Sequence, residues 1–177
     1  MGDKKDLKGF LEVIIRYLII VVLGLGNLYI FYAVLTPLTL WGVSNVLGLF
    51  SDVFVSSNGF FYYGVFFELV SACVGGSAFY LLLILIMGSR DVVWVKRVKM
   101  ILFAFLLLYI FNVLRIVFMV LFVDSRYFDM VHMGIWYFVS TVFVVLIWFL
   151  TVWMFKVKSI PVYSDFKFVI GLLKKSY

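Results

Sequence analysis

Long apolar runs alternate with short polar segments along the whole chain. Four runs, at about residues 13–35, 70–88, 98–123 and 134–155, are long enough for the roughly 20 helical residues that cross about 30 Å of hydrocarbon. No Pro-, Gly- or Ser-rich linker, low-complexity tract or internal repeat divides them. The pattern predicts an all-α integral membrane protein with about four transmembrane helices, in which residues 1–177 form a single membrane domain.

The segment between the first two runs has a different pattern. Pro37 is expected to end the first helix, and residues 38–50 mix apolar side chains with Thr, Ser and Asn, which favours a short helix in the outer membrane interface. Beyond it, residues 53–55 and 60–62 flank an Asn58-Gly59 pair, a favoured hairpin turn. We therefore expect a small extracytoplasmic β-hairpin and an interfacial helix between helices one and two.

The basic residues predict the orientation. Thirteen of the fifteen Lys and Arg side chains precede or enter helix one, join helices two and three, or follow helix four. Because such residues concentrate on the cytoplasmic side, both termini are expected in the cytoplasm, and the other two connections should face outward. Only Arg115 and Arg126 depart from this distribution.

Composition strengthens the membrane interpretation and narrows the meaning of the charge. Hydrophobic residues make up 66% of the chain, and the mean hydropathy is +1.19, whereas soluble domains use roughly 45–50% apolar residues. The net charge of +6 then reflects topology and attraction to anionic headgroups. Dispersed cations without a recognition motif argue against nucleic-acid binding.

Arg115 is the clearest candidate for chemistry. An ionisable side chain inside a bilayer is costly, so its presence is by default a functional hypothesis. Asn112 lies three residues earlier and Tyr109 three before that, which places the three on one polar stripe of helix three. The alternative is a purely structural role, in which Arg115 ties helices together through carbonyl groups and Asn112.

Cys73 is the only cysteine, so the chain has neither an internal disulfide nor a multi-cysteine metal site. Isolated cysteines within membranes are usually inert small side chains. At about 1.5 Å per residue, however, Cys73 lies roughly 22 Å above the cytoplasmic end of helix two, and Arg115 roughly 24 Å above that of helix three. The two residues should therefore share one level in the outer half of the membrane.

The neighbouring candidates are less distinctive. Gly75, Gly76 and Ser77 favour close helix packing over phosphate binding, because no P-loop spacing surrounds them. His132, the only histidine, opens helix four at a higher level, roughly 36 Å above its cytoplasmic end. The alternative for His132 is an interfacial side chain that hydrogen-bonds Asp129 or water.

A cysteine, an arginine and a histidine that converge from three helices suit thiol acyl transfer. A thiolate is the nucleophile, a nearby cation favours it, and histidine can accept its proton. These residues resemble the exosortase/archaeosortase family of membrane cysteine transpeptidases. The resemblance covers roughly residues 50–150 and rests on the segment from Glu68 through Cys73 to Gly75, on residues 112–116, and on His132 followed by Gly134.

The resemblance implies a role for each matching residue. Cys73 would be the nucleophile, Arg115 a required cation and His132 the third catalytic position. Four further residues would support the site, namely Glu68, Ser77, Tyr109 and Asn112. Val74 departs from the family pattern, in which Ser or Thr is usual, and longer members carry additional N-terminal helices.

The resemblance also implies the substrates. These would be secreted proteins with a C-terminal sorting signal, made of a short motif, a transmembrane helix and a basic tail. The enzyme would cleave them at the outer face of the cell membrane and transfer them to a lipid or surface amine acceptor, with no cofactor. Three alternatives stay open: a simple intramembrane cysteine protease, a non-enzymatic four-helix scaffold, and a small transporter. A transporter usually needs polar groups along a whole path, and here the polar stripe stops halfway.

Overall fold

The computed structural model describes residues 2–90, 92–123, 134 and 140–175. The elements are, in chain order, α1 (Gly2–Leu47), β1 (Val53–Val55), β2 (Gly59–Tyr62), β3 (Val65–Glu68), α2 (Ser71–Val74), α3 (Gly76–Met87), α4 (Trp94–Leu121), α5 (Ser140–Met154) and α6 (Tyr163–Lys175). The fold is mainly helical, as predicted, and its β-structure is confined to one short segment. Helix α6 lies in the cationic segment after the fourth apolar run, where the sequence pattern predicted no helix.

Helix α1 continues beyond its predicted end and is interrupted within the first apolar run. The expectation that Pro37 ends the first helix is wrong, because α1 continues to Leu47 and absorbs most of the predicted interfacial helix. A proline removes one backbone hydrogen bond, but the turns beyond it are held by the complete burial of Val43 and Leu47. The helical path is interrupted earlier, at residues 25–28, where Gly26 and the two residues after it have positive φ.

The predicted hairpin is confirmed, and the structure adds a third strand. Strands β1 and β2 pair antiparallel with Val55 opposite Phe60, and β3 pairs with β2 to give the order β1-β2-β3. Tyr63 and Gly64 connect β2 to β3 with φ of 47° and 78°, as the favoured two-residue turns with positive φ require. Tyr-Gly is an unusual sequence for such a turn, and for that reason the third strand was missed.

The core forms where α3 packs between α1 and α4. Fully buried side chains come from all three helices: Val43 from α1, Leu82 and Ile86 from α3, and Met100 and Ala104 from α4. Helices α1 and α4 come close at Gly42, where an added Cβ would collide with the hydroxyl of a tyrosine on α4.

Two of the described helices are long and apolar enough to cross a membrane, α1 from Asp6 to Leu47 and α4. Only 17% of the most apolar stretch of α1 and 33% of that of α4 is buried, whereas the central helix of a soluble domain would be mostly covered. Helix α3 and residues Val142–Met154 of α5 are apolar but shorter. Such exposed apolar surface favours contact with lipid.

Candidate active site

Cys73 lies on a short turn between the sheet and α3. The end of the sheet is fixed because the Leu69 N–H donates to the Asn58 carbonyl at 2.8 Å. Helix α2 is then a single turn, and Gly75, with φ of 74°, redirects the chain into α3. The backbone at that φ favours glycine. We call residues 70–75 the Cys73 turn.

Two polar side chains of α4 hold this turn. The Asn112 Nδ2 group donates to the carbonyls of Cys73 and Val74, at 3.1 Å in each case. Arg115 Nη2 donates to the Cys73 carbonyl at 2.9 Å. Because Asn112 and Arg115 are three residues apart, both side chains leave α4 on the same side. The predicted common level of Cys73 and Arg115 thus corresponds to a direct contact.

The hydrogen bond to the Cys73 carbonyl also brings the positive charge of Arg115 into the Cys73 turn. In general, a positive charge near a cysteine favours the thiolate, and it does so more strongly in surroundings of low polarity than in water. The four-residue α2 contributes little helix dipole. Among the described residues, Arg115 is the cation whose hydrogen bond reaches the Cys73 turn.

A cavity of about 190 Å³ lies beside the Cys73 turn. Its lining residues are Ala72, Gly75, Ser77, Ala78, Phe79, Leu108, Phe111, Asn112, Arg115 and Phe143. Cys73 lies between Ala72 and Gly75 in the sequence but does not itself line the cavity. The polar groups of Asn112 and Arg115 meet apolar walls there, so a peptide group could enter with its carbonyl oxygen near N–H donors.

Two of the predicted supporting residues point elsewhere. The Glu68 carboxylate accepts a hydrogen bond from Asn58 Nδ2 at 3.4 Å, within the sheet. The Tyr109 hydroxyl donates to the Leu38 carbonyl of α1 at 2.9 Å. Tyr109 thus contributes to the contact between α1 and α4, on another face from the residues that hold Cys73.

The predicted third catalytic residue, His132, lies outside the described residues. Within the described ranges, no group of three or more His, Cys, Asp or Glu side chains could hold a metal ion. The described part of the site therefore consists of the Cys73 thiol, the Arg115 guanidinium and the Asn112 amide beside a small cavity.

Sequence reasoning missed the aromatic walls of this cavity. The rings of Phe111 and Phe143 lie 4.8 Å apart across the contact between α4 and α5, and Phe79 adds a wall from α3. The chain contains 21 phenylalanines, and nothing in the local pattern separates those that line a cavity from those that face lipid. Only the adjacency of Phe111 to Asn112 could have marked one of them.

Comparison of the chain with protein-family models, with curated proteins and with solved structures gives no match.

Proposed function

We propose that this chain is a multi-pass membrane cysteine transpeptidase whose active site, centred on Cys73, faces the extracytoplasmic side. The observation that carries the proposal is the contact of the Arg115 guanidinium with the Cys73 turn, beside a cavity. A guanidinium within an apolar helix costs free energy, so its presence there favours a functional role. A cation beside a cysteine is the arrangement that activates a thiol.

The distribution of charge supports the proposed orientation. Arg16 and Arg97 gather at one end of the helices, where both donate to the Met87 carbonyl at the end of α3. The Cys73 turn leads into the opposite end of α3, where that helix begins, and the sheet comes just before the turn. If the basic end is cytoplasmic, four spans at about 13–35, 70–88, 98–123 and 134–155 put Cys73 on the outer side. The exposed apolar surfaces of α1 and α4 would then contact lipid.

The proposed reaction begins when the C-terminal transmembrane helix of a secreted protein docks with its scissile peptide at the Cys73 turn, beside the cavity. His132 accepts the proton of the Cys73 thiol. The resulting thiolate attacks the peptide carbonyl carbon, and a C–S bond forms while the carbonyl electrons move to oxygen. Arg115 stabilises the thiolate before attack or the oxyanion after it. The oxyanion collapses, the C–N bond breaks, and His132 delivers the thiol's proton to the leaving amine.

The second half of the reaction reverses these roles. An amine or another surface nucleophile attacks the thioester carbonyl and loses a proton to His132. The new bond forms as the C–S bond breaks, and the thiolate of Cys73 returns. Asn112 is a positioning residue in this scheme, because it fixes the carbonyls of Cys73 and Val74 and so the direction of the thiol. With water as the acceptor, the same site would act as a simple intramembrane protease.

A specific observation favours a second candidate, the non-enzymatic scaffold. The hydrogen bonds from Asn112 and Arg115 reach backbone carbonyls, as in a clamp that ties α4 to the start of α3. In a scaffold the thiol would be an inert small side chain and Arg115 would only satisfy carbonyl groups. The two candidates therefore differ in the reactivity of Cys73.

Thiol alkylation tests this difference directly. Because the chain has a single cysteine, the mass gained by the intact protein after treatment with iodoacetamide reports Cys73 alone. In the full-length protein in lipid nanodiscs, we expect alkylation at neutral pH about tenfold faster than that of glutathione, since only the thiolate reacts. Phe66, exposed in β3, offers a matched control: in a Phe66→Cys/Cys73→Ala protein the cysteine should react at the glutathione rate. Equal rates at both positions would favour the scaffold.

The transpeptidase and the protease are separated by the product. In cells that express a secreted protein with a C-terminal motif, helix and basic tail, Cys73 should form an adduct that hydroxylamine releases as a thioester. Cys73→Ala should form none, and unprocessed substrate should accumulate in the membrane. Cys73→Ser should behave almost like Cys73→Ala, because a hydroxyl ionises far less readily. Product mass shows whether an acceptor or water was added, and unchanged maturation in Cys73→Ala would refute both enzymes.

A further inference from the structure

The opposite end of the helices has a second polar cavity, of about 320 Å³. It lies where α1 meets the connection from α3 to α4. The Cys73 turn is at the other end of α3. The polar and charged groups that line it are Glu12 and three arginines, Arg16, Arg90 and Arg97, with Trp94 beside them. Among the described residues that line the cavity, three are arginines and one is a carboxylate, and Asp165 lies beside them as the partner of Arg16. The described lining therefore carries more positive than negative charge.

Arg97 is the unusual member of this group. The side chain is only 3% exposed, and its two terminal nitrogens donate to main-chain carbonyls, including those of Met87 and Ser89. Within the described part of the chain, its Nε–H finds no acceptor and no carboxylate pairs with it. The carbonyls supply partial negative charge only. A buried guanidinium with an unsatisfied donor and no counter-ion is costly.

Arg16, by contrast, already has an anionic partner. Its Nη2 lies 2.7 Å from Asp165 Oδ1 of α6, and both side chains are almost fully buried. Among the described residues, Asp165 is in direct contact with Arg16 and not with Arg97. Asp165 and Glu12 act on Arg97 only at longer range, so an anion that enters the cavity could be the first to contact its guanidinium.

The N-terminus of α4 opens at the same cavity. Val93, its N-cap residue, offers no side-chain hydrogen bond to the first turn, and both Val93 and Trp94 line the cavity. The first backbone N–H groups of a helix lack partners within it, and in a helix of 28 residues they carry the positive end of the helix dipole. Helix N-termini of this kind bind phosphate.

We propose that this cavity binds a phosphate group, held by Arg90 and Arg97 and by the first N–H groups of α4. Arginine suits phosphate because its planar set of donors matches two phosphate oxygens. The guanidinium of Arg90 is oriented by stacking on Phe168, with Cζ 3.3 Å from the ring centroid. The phosphate belongs to a phospholipid headgroup of the adjacent leaflet or to a soluble compound. The proposal does not depend on the function of Cys73.

Binding of phosphatidylglycerol, phosphatidylcholine and inorganic phosphate tests this site. Native mass spectrometry of the full-length protein in detergent, titrated with each lipid, measures the apparent Kd, and added inorganic phosphate tests competition. Phosphatidylglycerol should bind saturably. Arg90→Gln should weaken binding about tenfold, as expected for loss of a charged hydrogen bond. Glu12→Gln should strengthen it severalfold by removing the carboxylate found among the described lining residues.

Lys99→Gln is the matched control, because Lys99 is exposed on α4 and does not line the cavity. This variant should bind as the parent does. Arg97→Gln also removes bonds to the end of α3 and can impair folding, so the test relies on Arg90 and Glu12. Competition by inorganic phosphate identifies a soluble ligand, and its absence identifies the lipid headgroup. Affinity that is unchanged in Arg90→Gln and Glu12→Gln, or lowered equally by Lys99→Gln, overturns the proposal.

Discussion

Arg115 combines a positive charge with a planar set of hydrogen-bond donors, and lysine offers only the charge. Its guanidinium donates to the Cys73 carbonyl at 2.9 Å, which brings a positive charge into the Cys73 turn. A lysine would keep the charge but has no planar set of donors to hold a carbonyl and face a second group at once. The charge and the geometry can therefore be tested apart.

Replacement of Arg115 by Lys should impair the site although it keeps the positive charge. Since a hydrogen bond to a charged group is worth about 1.5–3 kcal/mol, we expect alkylation of Cys73 to slow by roughly tenfold or more. Arg90→Lys, at the other end of the helices, is the matched control and should leave the rate unchanged. A near-normal rate in Arg115→Lys would mean that Arg115 is only a generic positive charge.

At the scale of elements, the junction of α2 and α3 decides where the thiol lies. The second apolar run was expected to be one helix, but Gly75 divides it with a φ of 74°. An added Cβ would meet only Asn112 Oδ1, at an ordinary 3.7 Å. The cost of a side chain at this position is therefore mainly backbone strain, and its relief would rotate the Cys73 turn.

A Gly75→Ala variant should lower the stability of the protein and misplace the thiol. The left-handed conformation costs a non-glycine residue about 1–2 kcal/mol. Gly64→Ala is the control, because Gly64 has a φ of 78° with open space around it, in the turn between β2 and β3. Both variants should unfold at a lower temperature, but only Gly75→Ala should slow alkylation of Cys73. Equal alkylation rates in the two would show that the junction does not position the thiol.

At the scale of the whole molecule, two of the polar regions formed by described residues are separate from each other. The basic region contains Arg16 and Arg97 near the end of α3, and the other contains the sheet and the Cys73 turn. Under the proposed function, a membrane lies between these two regions. The positive-inside rule would then place the basic region in the cytoplasm.

Reporter fusions test this arrangement. A reporter after Tyr177 and a second one inserted near Asn58, at the tip of the hairpin, should report opposite compartments, cytoplasmic for Tyr177 and external for Asn58. An insertion beside Arg90 should match Tyr177. Finding all three reporters in the cytoplasm would refute the four-span arrangement and the outward-facing site with it.

Local signals were sufficient for some of this structure. The runs that become α1 and α4 are recognisable because length and hydropathy are properties of a continuous segment. Asn58 and Gly59 marked the first hairpin because turn preference depends on neighbouring residues. Counting the rise along two helices placed Cys73 and Arg115 at one level, and they are in contact in the structure.

Other features depended on contacts between distant segments. Tyr109 and Arg115 are six residues apart, which separates them by about 120° around a helix. The pattern could not decide which neighbour each would face, and Tyr109 turns to α1. Likewise, Arg16 carried no sign of its pairing with Asp165, 149 residues later.

The sequence by itself determined the apolar helices, the first hairpin and the candidate thiol and cation, because each depends on the chemistry of a short segment. Tertiary structure alone decided that α1 passes Pro37, that Gly75 breaks the second run, and that Asn112 and Arg115 hold the same carbonyl. The physical reason is that burial and hydrogen bonding are satisfied between elements. A proline or a buried guanidinium is tolerated only where a distant part of the chain compensates its cost.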